Sequence, residues 1–114
     1  MLKKSQIKGL VGEWLALILL IIKGYKPLSM NNKDGGIEGD IIAYKGYSLV
    51  LVEVKWRQSQ EKGHLAVHPQ QQKRLFKKLK ALSFKYPDKN LRLDLVLIYP
   101  TPPFIEHIEN AFSL

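Results

Sequence analysis

Three charged side chains lie in a stretch of sequence whose apolar pattern predicts buried strands. The stretch "GIEGDIIAYKGYSLVLVEVKWR" runs from Gly36 to Arg57 and includes Asp40, Glu53 and Lys55. Burying any one of these charges alone would cost free energy, unless it were paired or bound to a metal ion. Two carboxylates and an ammonium are groups that can bind a divalent cation and act on a phosphate ester. We therefore interpret them as a metal-dependent centre that cuts nucleic acid.

The two acids lie on predicted strands that form a hairpin. The pattern predicts strands over 38–45 and 48–56, with Gly46-Tyr47 as a two-residue type II′ loop. This register places Asp40 directly opposite Glu53, with their Cβ atoms about 5 Å apart. Carboxylates at that distance repel each other, which destabilises the sheet unless a cation lies between them.

A second register of the hairpin is open from the sequence. A loop at Lys45-Gly46 would place Glu38 opposite Glu53, so either register brings two acids together. Lys55 lies on the same face as Glu53, because side chains alternate along a strand. The candidate ligands are all oxygens, which favours Mg²⁺ or Mn²⁺ over zinc or copper. The alternative is a surface salt-bridge cluster in which Lys55 neutralises one acid without any metal.

A strongly basic composition points to a polyanionic partner. The chain has 18 basic and 10 acidic residues and a net charge of +8, which favours nucleic acid or an anionic membrane surface. Pro69 predicts the start of a helix that continues to about Tyr86. Its basic residues are Lys73, Arg74, Lys77, Lys78, Lys80 and Lys85. We interpret them as phosphate contacts rather than a solvated face, with Lys73 closest to the scissile phosphate.

The remaining elements predict how these residues are positioned. Helical spacing predicts a first helix over 5–23, ended by Gly24, and strands over 25–31 and 91–99. A short helical tail follows Thr101-Pro102-Pro103. The order predicts an α/β fold in one domain, residues 1–114. Three antiparallel strands precede a right-handed crossover that adds the last strand parallel to the third. The result is a mixed four-stranded sheet with helices on both faces.

The first helix contains an apolar run, "WLALILLII" from Trp14 to Ile22. Nine apolar residues are too few to span a bilayer, and no small-residue cleavage pattern follows them. We therefore expect a helix buried by its neighbours on several sides and no association with a membrane.

Several other classes of site are excluded by residue types. The chain has no cysteine, which rules out a disulfide framework and thiolate metal sites, and we expect a cytoplasmic protein. His64 and His68 have the i, i+4 spacing of a zinc pair, but Pro69 disfavours helical geometry there and a third ligand is lacking. Asp94 is expected to make a structural polar contact at the end of its strand.

Asp40, followed by Glu53-Val54-Lys55 on the next strand, resembles the pattern of the PD-(D/E)XK nuclease superfamily. The chain is more closely similar to the YraN-like family of small bacterial proteins, which is related to archaeal Holliday-junction resolvases. The resemblance covers nearly the whole length and includes Lys73. Its motifs are GEWLA (12–16), GDIIA (39–43), LVEVKWR (51–57), RLDLV (92–96) and HIENAF (107–112). The family usually reads Gly-Glu-Ile-Asp before its Leu-Ile-Ala, whereas this chain keeps Glu38 and Asp40 but has Ile37 and Gly39 in the remaining positions. A glycine inside the strand could alter its bend or register.

The resemblance implies a restriction-endonuclease-like αβββαβ core and a role for each acid. Asp40 and Glu53 would bind Mg²⁺ or Mn²⁺, with the Val54 carbonyl as a further ligand. Glu13, on the first helix, would complete the metal site; the alternative is an acid that interacts with the helix dipole. Lys55 would orient the attacking water or balance charge on phosphorus.

The implied function is Mg²⁺-dependent endonucleolytic hydrolysis of phosphodiester bonds in branched or structured DNA. The alternative is a DNA-binding module that keeps the nuclease fold without catalysis. The residues expected to contact nucleic acid are Lys73, Arg74, Lys77, Lys80 and Arg57. A homodimer would suit an enzyme that cuts two strands, because symmetric partners present two centres.

Overall fold

Two helices and five strands make up the part of the chain that the computed structural model describes, residues 4–33, 38–58 and 69–111. In chain order they are α1 (Lys4–Ile22), β1 (Lys26–Lys33), β2 (Glu38–Lys45), β3 (Ser48–Trp56), α2 (Pro69–Lys85), β4 (Asn90–Ile98) and β5 (Ile105–Ile108). His64 and His68 lie outside the described residues. The strands form one mixed sheet in the order β1-β2-β3-β4-β5.

The connections between the strands are those that the sequence predicted. β1, β2 and β3 form an antiparallel meander, and β4 returns parallel to β3 after α2. This arrangement confirms the α/β fold and is compatible with a restriction-endonuclease-like core.

The end of α1 is fixed by Gly24, as the sequence predicted. Gly24 has a φ of 90°, a left-handed conformation that is strained for residues with a Cβ atom. The Tyr25 N–H donates to the Leu20 carbonyl at 2.9 Å and the Gly24 N–H donates to the Ile21 carbonyl at 3.0 Å. These two hydrogen bonds form a Schellman motif, which satisfies the last carbonyls of the helix and turns the chain into β1.

The register of the central hairpin is the first of the two that the sequence allowed. Gly46 has a φ of 59° at the first loop position, and Lys45 lies opposite Ser48. Asp40 therefore lies opposite Glu53, and Glu38 lies opposite Lys55. Pairing between β2 and β3 is continuous from Glu38 to Lys45, so Gly39 does not shift the register.

The two faces of the sheet bury different apolar clusters. One cluster packs beneath α1 and includes Ala16, Leu20, Ile41, Val52 and Val54. The other packs beneath α2 and consists of Leu51, Leu75, Leu79 and Leu93, with Ile42, Phe76 and Leu91 against it. Because side chains alternate, the odd-numbered residues of β3, including Glu53 and Lys55, lie on the α2 face.

The predicted helical tail is wrong, because Ile105–Ile108 forms β5, antiparallel to β4. A turn leads into it, with the Phe104 N–H donating to the Thr101 carbonyl at 2.9 Å. Without β5, the outer edge of β4 would leave a row of backbone groups unpaired. The sheet accordingly has five strands rather than the predicted four, and the extra strand extends the predicted core.

The prediction that neighbours bury α1 on several sides is also wrong. Ala16, Leu17 and Leu20 face the sheet with Gly12 and Glu13, whereas the opposite face of the helix is exposed. Small residues are needed on the inner face, because a Cβ on Gly12 would clash with the Trp56 indole and lie 3.0 Å from Ile98 Cδ1. Neither α1 nor α2, the two helices of the described residues, is long and apolar enough to cross a bilayer.

Candidate active site

Asp40 and Glu53 form a pair of buried carboxylates on adjacent strands. They are direct partners in the β2–β3 ladder, and their exposures are 2% and 0%. Both belong to the α2 face of the sheet, because Asp40 shares its side of β2 with Ile42 of the α2 cluster. The hairpin register alone brings these two acids together, as the sequence predicted.

Lys55 supplies a cation inside the same region. Its side chain is completely buried, and its Nζ lies 3.6 Å from Oε1 of Glu53. A lysine at full burial is rare and is stabilised mainly by a nearby opposite charge. The structure therefore brings together the three residues that the sequence singled out on β2 and β3.

Glu13 approaches the acid pair from α1. Its side chain is 3% exposed, and burial together with the nearby charge of Asp40 raises its pKa. Its Oε1 has no hydrogen-bond partner among the described residues. A buried oxygen in that state costs free energy, so its burial needs a functional or structural reason. Glu13 lies well inside α1, so the predicted alternative of an acid in the first turn of the helix does not describe it.

Two cations of α2 contact the acid pair, and sequence reasoning did not assign this role to them. Lys78 Nζ forms an ion pair with Oδ2 of Asp40. Arg74 Nη2 lies 3.5 Å from Oε1 of Glu53 and donates a hydrogen bond to it. The i, i+4 spacing of these residues, beside the core positions Leu75 and Leu79, was the signal that could have predicted a shared target.

The other basic residues of α2 lie elsewhere on the helix. Lys77 and Lys80, with Phe76 and Leu91, line a cavity of about 400 Å³ between α2 and the start of β4. Lys73 is exposed to solvent. The basic face predicted as one surface is thus divided between the acid pair and the cavity. Contact of these side chains with nucleic acid stays a prediction.

Two predicted site residues follow the acid pair along β3. Val54 is paired with Gly39 on one side and Val96 on the other, and its side chain packs in the α1 cluster. Arg57 follows β3, where its Nη1 donates to the Trp56 carbonyl at 2.7 Å. Metal coordination by the Val54 carbonyl and phosphate contact by Arg57 stay predictions.

The donor set fits a Mg²⁺ or Mn²⁺ ion held by few protein ligands. In residues 4–33, 38–58 and 69–111, no group of three or more His, Cys, Asp or Glu side chains is close enough together to bind a metal ion. Magnesium, however, is typically bound through one or two carboxylates, with water and substrate phosphate supplying the other oxygens. Asp40 and Glu53 would be those ligands, and the buried oxygen of Glu13 would lie nearby.

A second buried polar cluster surrounds Asp94 on the α1 face. Asp94 accepts hydrogen bonds from Tyr25 Oη at 2.9 Å, Arg92 Nε at 2.9 Å and the Asn110 N–H at 2.9 Å. It also lies 2.8 Å from Nε2 of His107. The predicted structural contact of Asp94 is confirmed, although the residue lies in the middle of β4 rather than at its end. Because Tyr25 and His107 are distant in sequence, spacing gave no signal for this cluster.

Comparisons with known proteins identify the family. Residues 12–98 match the family described as "Uncharacterised protein family UPF0102". A UPF0102 protein of Thermodesulfovibrio yellowstonii is 40% identical over 110 residues, covering 91% of this chain and 94% of the relative. One of Geobacter sulfurreducens is 38% identical over 117 residues, covering 96% and 91%. These names state a family and no reaction. The chain belongs to the UPF0102 family, which is the YraN-like family that its motifs resemble.

Proposed function

We propose that this protein is a metal-dependent nuclease that hydrolyses phosphodiester bonds in nucleic acid, with branched or structured DNA as its substrate. The observation that carries the proposal is the burial of Asp40, Glu53 and Lys55 together on two paired strands. Strands hold side chains more rigidly than loops, and rigid placement is what a catalytic centre requires. The UPF0102 names supply the family, and the nuclease activity is inferred from these residues.

Each residue of the site has a role that its position supports. A bound Mg²⁺ would supply a Lewis acid for the phosphate and a more acidic water molecule. Asp40 and Glu53 would hold that ion. Lys55 would orient a water molecule toward the phosphorus or balance the negative charge that develops there. Glu13 would accept a hydrogen bond at its buried oxygen from water in the same site.

The cations of α2 support nucleic acid as the substrate. Arg74 and Lys78 lie at the acid pair, so a phosphate bound there would meet two positive charges from one helix. Lys77 and Lys80 add two more basic side chains on the flank of α2 that lines the cavity. Basic side chains at this density favour the phosphate backbone, which neutralises them and releases counterions.

One observation favours a second candidate, a DNA-binding module without catalysis. Lys78 and Arg74 already neutralise Asp40 and Glu53, and a set of ion pairs of this kind can stabilise a fold without any metal. The two candidates share the nucleic-acid surface and differ in whether the acid pair binds a divalent ion.

Cleavage assays on matched variants distinguish the two candidates. Junction, flap, single-stranded and duplex DNA would be incubated with Mg²⁺ or Mn²⁺ and wild-type protein, Asp40→Asn or Lys55→Met. Asp88→Asn changes an exposed acid between α2 and β4 and is the matched control. Circular dichroism would verify that each variant is folded, since Lys55 is fully buried.

A nuclease would lose at least about 100-fold of its cleavage rate in Asp40→Asn and Lys55→Met, while Asp88→Asn stays active. Binding without cleavage in every metal would support the binding module instead. Equal cleavage by wild type and Asp40→Asn would contradict the assignment of the site.

A further inference from the structure

The outer face of α1 is an exposed apolar surface. It consists of large side chains with exposures between 45% and 77%: Val11, Trp14, Leu15, Ile18, Ile21 and Ile22. We call these six residues the outer stripe. Contiguous apolar patches of this kind on a soluble protein commonly mark an interaction surface.

The spacing of the outer stripe is that of a helix that pairs with another helix. From Val11, its members follow at i+3, i+4, i+7, i+10 and i+11, so they fall within an arc of about 120°. The charged residue between 11 and 22 is Glu13, which is buried on the inner face. The outer stripe is therefore free of charge in a chain whose net charge is +8.

The area of the outer stripe is close to that of one side of a stable dimer. From the exposed fractions of the six side chains, their accessible area is roughly 600 Å², and a standard interface buries about 800 Å² on each partner. A cavity of about 260 Å³ between α1 and β1 is lined by Leu17, Pro27, Leu28, Ser29 and Met30. Trp14, the largest member, is of the residue type enriched at the centres of interfaces.

We propose that the outer stripe is the contact surface between two copies of this chain, with α1 packed antiparallel on α1 about a two-fold axis. A two-fold interface places the same surface on both partners, so it must be self-complementary. An uncharged apolar stripe meets this condition, whereas the basic surfaces of two copies would repel each other. Closest contact would fall near Leu15 and Ile18, at the middle of the stripe.

The proposed dimer leaves the candidate active sites accessible. Asp40, Glu53 and Lys55 lie on the α2 face of the sheet, and the outer stripe lies beyond the opposite face. The two acid sites would therefore face outward from the pair. This inference does not depend on the proposed nuclease activity, because it uses only the outer surface of α1.

Sedimentation equilibrium on the full-length chain tests the proposal. Wild type should be a dimer that dissociates on dilution, and Ile18→Lys should raise the dissociation constant by at least about 100-fold, since it buries a charge in the contact. Phe84→Lys is the matched control, because Phe84 is an 81% exposed apolar residue on α2. It should dimerise like wild type. A monomeric wild type, or an Ile18→Lys protein that dimerises normally, would overturn the proposal.

Cysteine cross-linking tests the geometry independently of the lysine substitution. The chain has no cysteine, so Ile18→Cys introduces a single thiol. Under mild oxidation it should form a disulfide-linked dimer, whereas Phe84→Cys should remain monomeric under denaturing electrophoresis. Equal cross-linking of the two variants would contradict the two-fold contact. Wild type that stays monomeric but binds anionic vesicles, with binding lost in Ile18→Lys, would assign the outer stripe to a lipid surface instead.

Discussion

At the scale of single residues, the buried charged side chains form two polar regions, which differ in how completely their oxygens are hydrogen-bonded. Within the described residues, Glu13, Asp40, Glu53, Lys55 and Asp94 are each at most 3% exposed. The first four belong to the candidate active site, where a buried oxygen of Glu13 lacks a hydrogen bond among the described residues. Asp94 instead accepts hydrogen bonds from Tyr25, Arg92 and the Asn110 N–H. A buried polar group without a hydrogen bond calls for a functional explanation, whereas fully satisfied networks are typical of structural sites.

At the residue scale we predict that Asp94 stabilises the fold in a pH-dependent manner. Burial raises the pKa of Asp94, but hydrogen bonds to its carboxylate lower the pKa by a larger amount, so that it falls from 3.8 to about 2. These hydrogen bonds come from His107, Arg92, the Asn110 N–H and Tyr25. Since the pKa is depressed in the folded state, the stabilisation is present above pH 4 and is lost as pH falls toward 2. With allowance for solvent screening, it amounts to about 1.5 kcal/mol.

Chemical denaturation of Asp94→Asn measures this contribution. The variant should lose about 1.5 kcal/mol of unfolding free energy at pH 7, and its difference from wild type should shrink between pH 4 and pH 2. Asp88→Asn, at an exposed position, should match wild type throughout. A difference for Asp94→Asn that does not change with pH would show that shape rather than charge is responsible.

At the scale of elements, the basic residues of α2 lie in different surroundings on its two flanks. Arg74 and Lys78 lie at the acid pair, and Lys77 and Lys80 lie at the cavity. We predict that Lys78→Gln binds Mn²⁺ about tenfold more tightly than wild type, because it removes a cation that competes for Asp40. Isothermal titration calorimetry would measure the affinity. Lys77→Gln removes the same charge from the other flank and should leave the affinity unchanged; an equal gain in both variants would indicate only the loss of net charge.

The packing of α1 on the sheet depends on one small residue. A Cβ on Gly12 would clash with the Trp56 indole and lie 3.1 Å from its Cε2. We predict that Gly12→Ala destabilises the protein by about 2 kcal/mol, although alanine favours a helix by about 1 kcal/mol. Thermal unfolding would measure the loss. The double variant Gly12→Ala with Trp56→Leu should recover part of it; additive losses would mean that the two residues do not interact.

At the scale of the whole molecule, the net charge of +8 predicts that any association with nucleic acid depends on salt. If the five predicted residues Lys73, Arg74, Lys77, Lys80 and Arg57 contact phosphates, the logarithm of the binding constant should fall with the logarithm of salt concentration with a slope of about −4.5. Fluorescence anisotropy with labelled duplex DNA would measure the slope. Lys80→Gln should reduce its magnitude by about 0.9, whereas Lys26→Gln, on the edge strand β1, should not. A slope unchanged by Lys80→Gln would exclude that residue from the contact.

The sequence by itself determined the parts of this protein that depend on near neighbours in the chain. The strands of the central hairpin have the predicted bounds, and either register that the sequence allowed would have brought two acids together across them; the structure has Asp40 opposite Glu53. The end of α1 at Gly24 and the start of α2 at Pro69 were likewise predicted from single residues in the local sequence. Alternation then placed Lys55 beside Glu53, because a strand has a period of two residues.

Only the tertiary structure decided what depends on distant segments. The open edge of β4 made Ile105–Ile108 a strand rather than a helix. The sheet covered one face of α1, and periodicity could not tell which apolar face that was. Arg74 and Lys78 reached the acid pair because the crossover laid α2 over β3 and β4. The distant partners of Asp94 came from the turn before β1, from β5 and from the residue pair that follows β5. Each of these outcomes depends on which surfaces pack together when the chain folds, and local sequence patterns do not specify that packing.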